Sequence, residues 1–181
     1  MARRQGISWP AVRTIALVLT GTVWAADQFT KHLTVTRLPL HEPVPVLGNF
    51  LQWFSTTNPG GAFSMLSGHT WVFTIALATV AVIALVQLFR VRSRVWIIVL
   101  GLLLGGVLGN LTDRIIRPPG HFEGEVIDMI SMPWFLPAVF NVADIFIVSS
   151  MILIALLILF GVNTDGSPRK KPAEAVASEA E

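Results

Sequence analysis

Long apolar runs alternate with short polar groups along this 181-residue chain. Residues 70–89 and 145–164 carry no Asp, Glu, Lys or Arg over 20 positions each, and residues 95–112 carry none over 18. Runs of this length can cross the hydrocarbon core of a bilayer as α-helices. A shorter run at residues 14–26 reaches a similar length if the helix continues through the polar segment that follows it.

The pattern predicts an all-α polytopic membrane protein with four transmembrane helices, over about residues 12–33, 70–89, 95–114 and 140–162. Two long connections remain, at residues 34–69 and 115–139. The first contains an aromatic and β-branched stretch at residues 50–57, which favours a strand and therefore a small β-sheet among the loops. Trp53 and Phe54 are expected to anchor this sheet near the lipid headgroups.

Domain organisation follows from the same pattern. Residues 1–162 are expected to form a single membrane-embedded domain. Residues 163–181 are rich in Pro, Ala, Glu and Lys and poor in apolar side chains, a composition typical of a disordered tail.

The basic residues predict the orientation of the chain. Nine of the 13 Lys and Arg residues precede the first run, lie between the second and third, or follow the fourth. The positive-inside rule makes that side cytoplasmic, with both termini, and places the two long connections and the small sheet outside the cytoplasm. Because topology explains the basic residues, no nucleic-acid partner is expected.

Carboxylates cluster at the opposite, outer level. Asp27 and Asp113 fall near the outer ends of the first and third predicted helices, and Asp144 opens the fourth. Asp128 lies in the connection before it. Since lipid cannot solvate a charge, carboxylates at the edge of the hydrocarbon are costly unless they are paired or used. The working hypothesis is an active site at the membrane surface.

Other chemistries find little support. The chain has no Cys, which excludes disulfides and a thiol nucleophile, and its four His residues lack metal-ligand spacing. Ser67 and His69 resemble a nucleophile and its base, but they are interpreted as a turn and a helix start, and a Gly-x-Ser-x-Gly motif is absent. We therefore expect neither a metal nor another cofactor, and hydrolysis would depend on carboxylates and water.

The third run carries Gly101, Gly105 and Gly109 at four-residue spacing, which predicts close packing against neighbouring helices. Such packing would fix Asn110, Asp113 and Arg114 at the end of that helix. Asp27 and Lys31 are four residues apart and can form an ion pair, which leaves both a scaffold role and a substrate-facing role open.

Five short blocks, taken together, carry a family resemblance. They are Asp27 to Lys31, Asn58 to Phe63, Gly105 to Arg114, Val126 to Asp128 and Phe140 to Asp144. In order and spacing they resemble the signature blocks of lipoprotein signal peptidase, or signal peptidase II, a bacterial aspartic endopeptidase family of the plasma membrane. The resemblance covers about residues 10 to 162.

The resemblance implies roles for individual residues. The catalytic carboxylates would be Asp128 and Asp144. The positions that match substrate-binding or supporting residues of the family are Asn58, Asn110, Arg114, Asn141, Asp27, Lys31 and Asp113. Two facing carboxylates share one proton and so provide an acid and a base together. We expect Asn141 to orient Asp144, and Arg114 to bind a substrate carbonyl or a lipid headgroup oxygen.

The resemblance also implies the substrate. Such enzymes cut the signal peptide from prolipoproteins immediately before a cysteine that carries diacylglycerol, so the expected partners are lipidated prolipoproteins and membrane lipid, with the protein acting as a monomer. An ion- or proton-coupled transporter is the alternative, but it predicts inverted repeats, interrupted helices and acidic residues near mid-membrane, and the sequence shows none of these.

Overall fold

The computed structural model describes residues 8–60, 70–120 and 122–167. In these ranges the chain forms four helices and four strands, which are α1 (Trp9–Arg37), β1 (Pro43–Leu47), β2 (Leu51–Asn58), α2 (Thr70–Arg90), α3 (Arg94–Ile116), β3 (Val126–Met132), β4 (Leu136–Phe140) and α4 (Val142–Leu159). Ser67 and His69, which the sequence suggested as a helix start, lie outside the described residues.

Helix α3 is the centre of the bundle. It packs against α1, α2 and α4 and is largely buried, whereas α2 and α4 expose most of their apolar side chains. Among the described helices, α2, α3 and α4 are long and apolar enough to cross a membrane. The more polar α1 contains Arg13, Asp27 and Lys31 and does not meet that criterion, so a count of four transmembrane helices stays a prediction.

The glycines of α3 allow the close packing predicted for them. A Cβ atom at Gly105 would lie 2.7 Å from the Cβ atom of Val23 on α1, and one at Gly106 would lie 2.7 Å from the carbonyl oxygen of Ala143 on α4. Real Cβ atoms do not approach so closely. The predicted packing face is therefore confirmed, and it contacts both α1 and α4.

The helix bounds differ from the predicted spans, most of all for the fourth. Helix α1 extends at both ends of the predicted 12–33, and α2 and α3 match their predictions to within two residues. The fourth span was predicted over 140–162, but α4 begins at Val142 and ends at Leu159. Phe140 instead pairs with Ile130 at the end of β4, and Asn141 is the N-cap of the helix.

The strands form one antiparallel sheet in the order β1-β2-β3-β4. The predicted strand at 50–57 corresponds to β2, while β1, β3 and β4 lie in segments that were predicted only as connections. Both prolines of β1 stand on an edge strand, where a missing N–H costs little. Asp128, assigned by sequence to a connection, lies within the central strand β3 and opposite Thr56 of β2.

The end of the bundle away from the sheet is also closed by specific contacts. The backbone N–H of Arg92 donates to the carbonyl oxygen of Thr164 at 2.8 Å, and the Trp96 indole donates to the carbonyl oxygen of Val162 at 2.8 Å. Residues 163–167, at the start of the segment that was predicted to be disordered, lie against the connection between α2 and α3. Residues 168–181 lie outside the described residues.

Candidate active site

Asp128 and Asp144 meet where the sheet joins the bundle, and Asn141 binds both. The side-chain nitrogen of Asn141 donates to Oδ1 of Asp128 at 2.7 Å. Its side-chain oxygen accepts from the backbone N–H of Asp144 at 2.9 Å, and its own backbone N–H donates to Oδ2 of Asp144 at 3.1 Å. This reciprocal pair is a capping box, which satisfies free N–H groups in the first turn of α4.

Every oxygen of the two carboxylates accepts a hydrogen bond. Besides the two bonds of Asn141, the Asn110 side chain donates to Oδ1 of Asp144 at 2.8 Å. The Asn58 side chain donates to Oδ2 of Asp128 at 3.2 Å. Three Asn side chains, from β2, α3 and the start of α4, thus surround the pair.

Asp128 is in an environment that favours its protonated form. The residue is only 3% exposed. Burial, and next the negative charge of Asp144, raise the pKa of Asp128 to about 7, although the hydrogen bonds from Asn141 and Asn58 act in the opposite direction. A carboxyl group with that pKa can hold a proton at neutral pH and release it readily.

A buried charge cluster lies behind the Asp128 and Asp144 carboxylates. The ammonium group of Lys31 contacts Oδ2 of Asp27 at 2.8 Å, Oδ2 of Asp113 at 2.8 Å and Oδ1 of Asn110 at 2.9 Å. Lys31, Asp27 and Asp113 are each 0% exposed. Such a cluster is tolerable in the interior only because each charge is paired and hydrogen-bonded.

The acidic members of this cluster fix neighbouring elements. Oδ1 of Asp27 accepts from the backbone N–H of Ala143 at 2.9 Å, in the first turn of α4, where a negative charge is favourable. Oδ2 of Asp113 accepts from the backbone N–H of Ile127 on β3 at 3.3 Å. The cluster therefore holds α1, α3, α4 and β3 in register around the carboxylates.

Arg114 lies on the other side of the pair. Its Nη1 donates to the carbonyl oxygens of Pro59 and Gly124, at 3.0 Å each, and its guanidinium lies 5.7 Å from the ring centre of Phe73. Its Nε is buried without a partner among the described residues. In this structure Arg114 binds carbonyl groups of its own chain through Nη1, while its Nε–H binds none of the described residues.

A cavity of about 390 Å³ opens beside the carboxylates. Asp128, Asp144, Asn58, Asn110 and Arg114 provide its polar wall. Its apolar walls come from α2, β4 and α4, and they include Phe73, Leu77, Ile147 and Val148. A strongly apolar segment can therefore lie against the pair, with polar groups at one end only.

The structure brings all nine predicted site residues into or directly behind this cavity, and it corrects the role expected of one of them. Asn141 was expected to orient Asp144, and it does bind that carboxylate, but through its backbone N–H. Its side-chain nitrogen binds Asp128, and the Asn110 side chain binds the other oxygen of Asp144. The reason is that Asn141 precedes the helix as its N-cap and does not share a helical face with Asp144.

Gln28 is a site residue that sequence reasoning missed. Its side-chain nitrogen donates to the carbonyl oxygen of Gly109 at 3.0 Å and lies 3.2 Å from a carboxylate oxygen of both Asp27 and Asp113. Its place beside Asp27, within the first signature block, was the available signal. As for metals, no group of three or more His, Asp or Glu side chains in the described ranges could hold an ion.

Comparison with known proteins gives a consistent result. A family model described as signal peptidase (SPase) II matches residues 19–160. A lipoprotein signal peptidase of Leifsonia xyli is 44% identical over 164 residues, covering 91% of this chain and 76% of that protein. One from Mycobacterium avium is 42% identical, covering 88% of this chain and 87% of that protein.

A solved structure supports the same assignment at the level of the fold. A bacterial membrane enzyme determined by the in meso method at 2.3 Å resolution superimposes with a TM-score of 0.73 and 25% identity, covering 87% of this chain and 95% of that one. Because the family match covers most of the chain and every signature block, this protein belongs to the signal peptidase II family, a family of membrane peptidases.

Proposed function

We propose that this protein is an aspartic endopeptidase that removes the signal peptide from diacylglyceryl-modified prolipoproteins, cutting before the lipidated cysteine. Asp128 and Asp144 are the catalytic pair. The observation that carries this proposal is a pair of buried carboxylates, each oxygen hydrogen-bonded, at the polar end of a cavity with apolar walls.

The reaction needs one protonated and one ionised carboxyl group. The ionised group accepts a proton from water as the water oxygen attacks the scissile carbonyl carbon, and the protonated group donates its proton to the carbonyl oxygen. The tetrahedral intermediate then collapses, the C–N bond breaks, and the leaving nitrogen takes up a proton from the pair. The raised pKa of Asp128 makes it suited to hold the shared proton at neutral pH.

The remaining polar groups hold this arrangement. Asn58, Asn110 and Asn141 orient the carboxylates, while Asp27, Lys31 and Asp113 support those side chains from behind. Arg114 lines the cavity, and its guanidinium group would bind a backbone carbonyl of the substrate or a lipid headgroup oxygen. No metal or cofactor takes part in the proposed reaction.

The signal peptide would enter sideways from the lipid between α2 and α4. Val148, at the edge of the cavity, is 57% exposed, so this wall faces outward as well as inward. The substrate is already in the bilayer, so its helix and acyl chains need not cross water, and the acyl chains set the depth of the scissile bond.

The proposed placement is a monomer in the bacterial plasma membrane. Four transmembrane helices would place both termini in the cytoplasm and the sheet and the carboxylate pair at the extracytoplasmic face. Helix α3 is about 35 Å long at about 1.5 Å per residue, enough to span the bilayer with Arg94 and Arg114 at opposite boundaries. The transporter alternative receives no support, since the related proteins are lipoprotein signal peptidases.

The test uses purified protein and a synthetic prolipoprotein in lipidated and unlipidated forms. We expect cleavage of the lipidated form and far slower cleavage of the unlipidated one, because loss of the acyl chains removes positioning as well as affinity. Asp128→Asn and Asp144→Asn should each lower kcat by about 10² to 10⁴-fold.

The matched control is Asp165→Asn, whose carboxylate is exposed and binds the backbone N–H of Ser167 away from the cavity. It should cleave at the rate of the unaltered protein. Near-normal turnover by either Asp128→Asn or Asp144→Asn would move the chemistry to another residue.

A further inference from the structure

The direction in which each Asn amide points determines whether it stabilises the ionised or the protonated form of the neighbouring carboxylate. An amide offers donors on its nitrogen and acceptors on its oxygen, and only the nitrogen side stabilises an ionised carboxylate. If the amide turned over, its oxygen would favour the protonated form instead. Something must therefore hold the nitrogen of each amide toward the pair.

Two of the three amides are held by the backbone next to them. The side-chain oxygen of Asn58 accepts from the backbone N–H of Gly60 at 3.1 Å, and that of Asn141 accepts from the backbone N–H of Asp144 at 2.9 Å. A backbone N–H can only donate, so turning either amide over would place two donors against each other. These two orientations follow from local chain geometry.

Asn110 lies within α3, where the backbone N–H groups are used by the helix itself and none is free to hold its side chain. Its oxygen accepts from Lys31 at 2.9 Å and from the Asn141 amide at 3.1 Å. The Asn141 nitrogen also lies near Ile127 and Asp128, so its two hydrogens are divided among three acceptors. The charge-assisted bond from Lys31 is the stronger and the more direct of the two.

We infer that Lys31 is a positioning residue: through its bond to the oxygen of Asn110 it holds the nitrogen of that amide against Asp144. An ammonium group has donors only, so it cannot accept a bond from a reversed amide. The ion pairs with Asp27 and Asp113 hold the ammonium group in place. The inference rests on the proposed function, and it gives this buried lysine a role in catalysis besides neutralising two acids.

The experiment is a double-substitution cycle in an Asp27→Asn reference protein. In this reference Lys31 keeps Asp113 and Asn110 as partners, and the amide oxygen introduced at position 27 can still accept from the backbone N–H of Ala143. Adding Lys31→Met restores the net charge of the unaltered chain while removing the donor to Asn110. The same two proteins are then made with Asn110→Ala, and kcat and KM are measured on the lipidated substrate.

We expect Lys31→Met to lower kcat about tenfold in the reference, with KM changed less than about twofold because Lys31 does not touch substrate. In the Asn110→Ala background the same substitution should change kcat by less than about twofold, since the residue it acts through is gone. An equal loss in both backgrounds would make Lys31 a purely structural residue. A change confined to KM, or no change at all, would also overturn the inference.

A second variant decides the question if the Lys31→Met proteins do not fold, as judged by thermal unfolding in detergent. With Lys31 intact, Asn110→Asp should give a kcat about tenfold below that of Asn110→Ala, because Lys31 holds one carboxylate oxygen and directs the other at Asp144. Equal or higher kcat for Asn110→Asp would overturn the inference. A fully folded, unaltered protein that fails to cleave would overturn the proposed function instead, and the inference with it.

Discussion

Asp128 illustrates at the scale of one residue how a proposed catalytic group can oppose stability. The pKa of Asp128 is about 7 in the folded protein, whereas that of an Asp in an unfolded chain is about 3.9. Between these two values the folded state binds more protons than the unfolded state. The free energy of unfolding contributed by this group therefore falls as the pH rises from about 4 to about 7, and it stays low above that.

Because ionisation of Asp128 lowers the free energy of unfolding, Asp128→Asn should be stabilising at high pH. The amide cannot ionise, so the substitution should raise the melting temperature relative to the unaltered protein at pH 8, where the buried carboxylate is charged. The gain should shrink towards pH 4, where Asp128 is protonated in the folded state. Thermal unfolding in detergent across this pH range measures it, with Asp165→Asn as the exposed control. A gain that does not depend on pH would contradict the raised pKa.

At the scale of elements, the position of the site depends on how closely the helices approach α3. Because Gly105 has no side chain, α1 can pack closely against it. Gly109 likewise leaves room for Asp27, whose Oδ2 would lie 2.5 Å from a Cβ atom at that glycine. The small residues thus bring Asp27 and Lys31 of α1 within reach of Asn110 and Asp113. The charge cluster can therefore assemble only if α1 packs closely against α3.

Gly105→Ala should therefore destabilise the protein. The new methyl group would meet the side chain of Val23 and the carbonyl oxygen of Thr20, and overpacking of this kind costs about 1 to 3 kcal/mol. The melting temperature in detergent should fall, and kcat with it, since α1 must move away from α3.

The control for this substitution is Gly21→Ala, on α1 itself. Nothing lies within 4 Å of a Cβ atom at Gly21, and Ala favours a helix more than Gly does. Its melting temperature should be unchanged or slightly higher. Equal destabilisation by both substitutions would show that the close contact of α1 and α3 is not what Gly105 provides.

At the scale of the whole molecule, the two ends of the bundle differ in chemistry. One end carries the sheet, the carboxylate pair and the charge cluster. At the other end, Arg13 near the start of α1 donates to the carbonyl oxygen of Phe89 near the end of α2, at 2.7 Å. Residues 163–167 lie at the same end, against the connection between α2 and α3. The proposed topology puts a membrane between these ends.

Single cysteines test that topology directly, because the chain has none of its own. Glu123 lies at the end with the sheet and Arg92 at the other, and both side chains are exposed. In intact cells, Glu123→Cys should react with an impermeant thiol reagent and Arg92→Cys should react only after the membrane is permeabilised. Labelling of Arg92→Cys alone would invert the topology and place the carboxylate pair in the cytoplasm.

The sequence by itself determined the features that depend on local chemistry. Runs without charge predicted the helices to within a few residues at most ends, because hydrophobicity and helix length are properties of adjacent positions. Glycine spacing predicted the packing face of α3 for the same reason. The five signature blocks pointed to Asp128, Asp144 and their supporting residues, and the structure brings all of these residues together.

Only the tertiary structure decided which groups bind each other. Asn58 and Asp128 are 70 residues apart in the chain, as Lys31 and Asn110 are 79 apart, so no local pattern could specify these contacts. The strands β3 and β4 form because β2 supplies a partner for β3, and β3 in turn supplies one for β4. Asn141 binds Asp128 because β4 runs to Phe140 and α4 begins only at Val142. Hydrogen bonds depend on the position and direction of both partners, and those are set only when distant segments have packed.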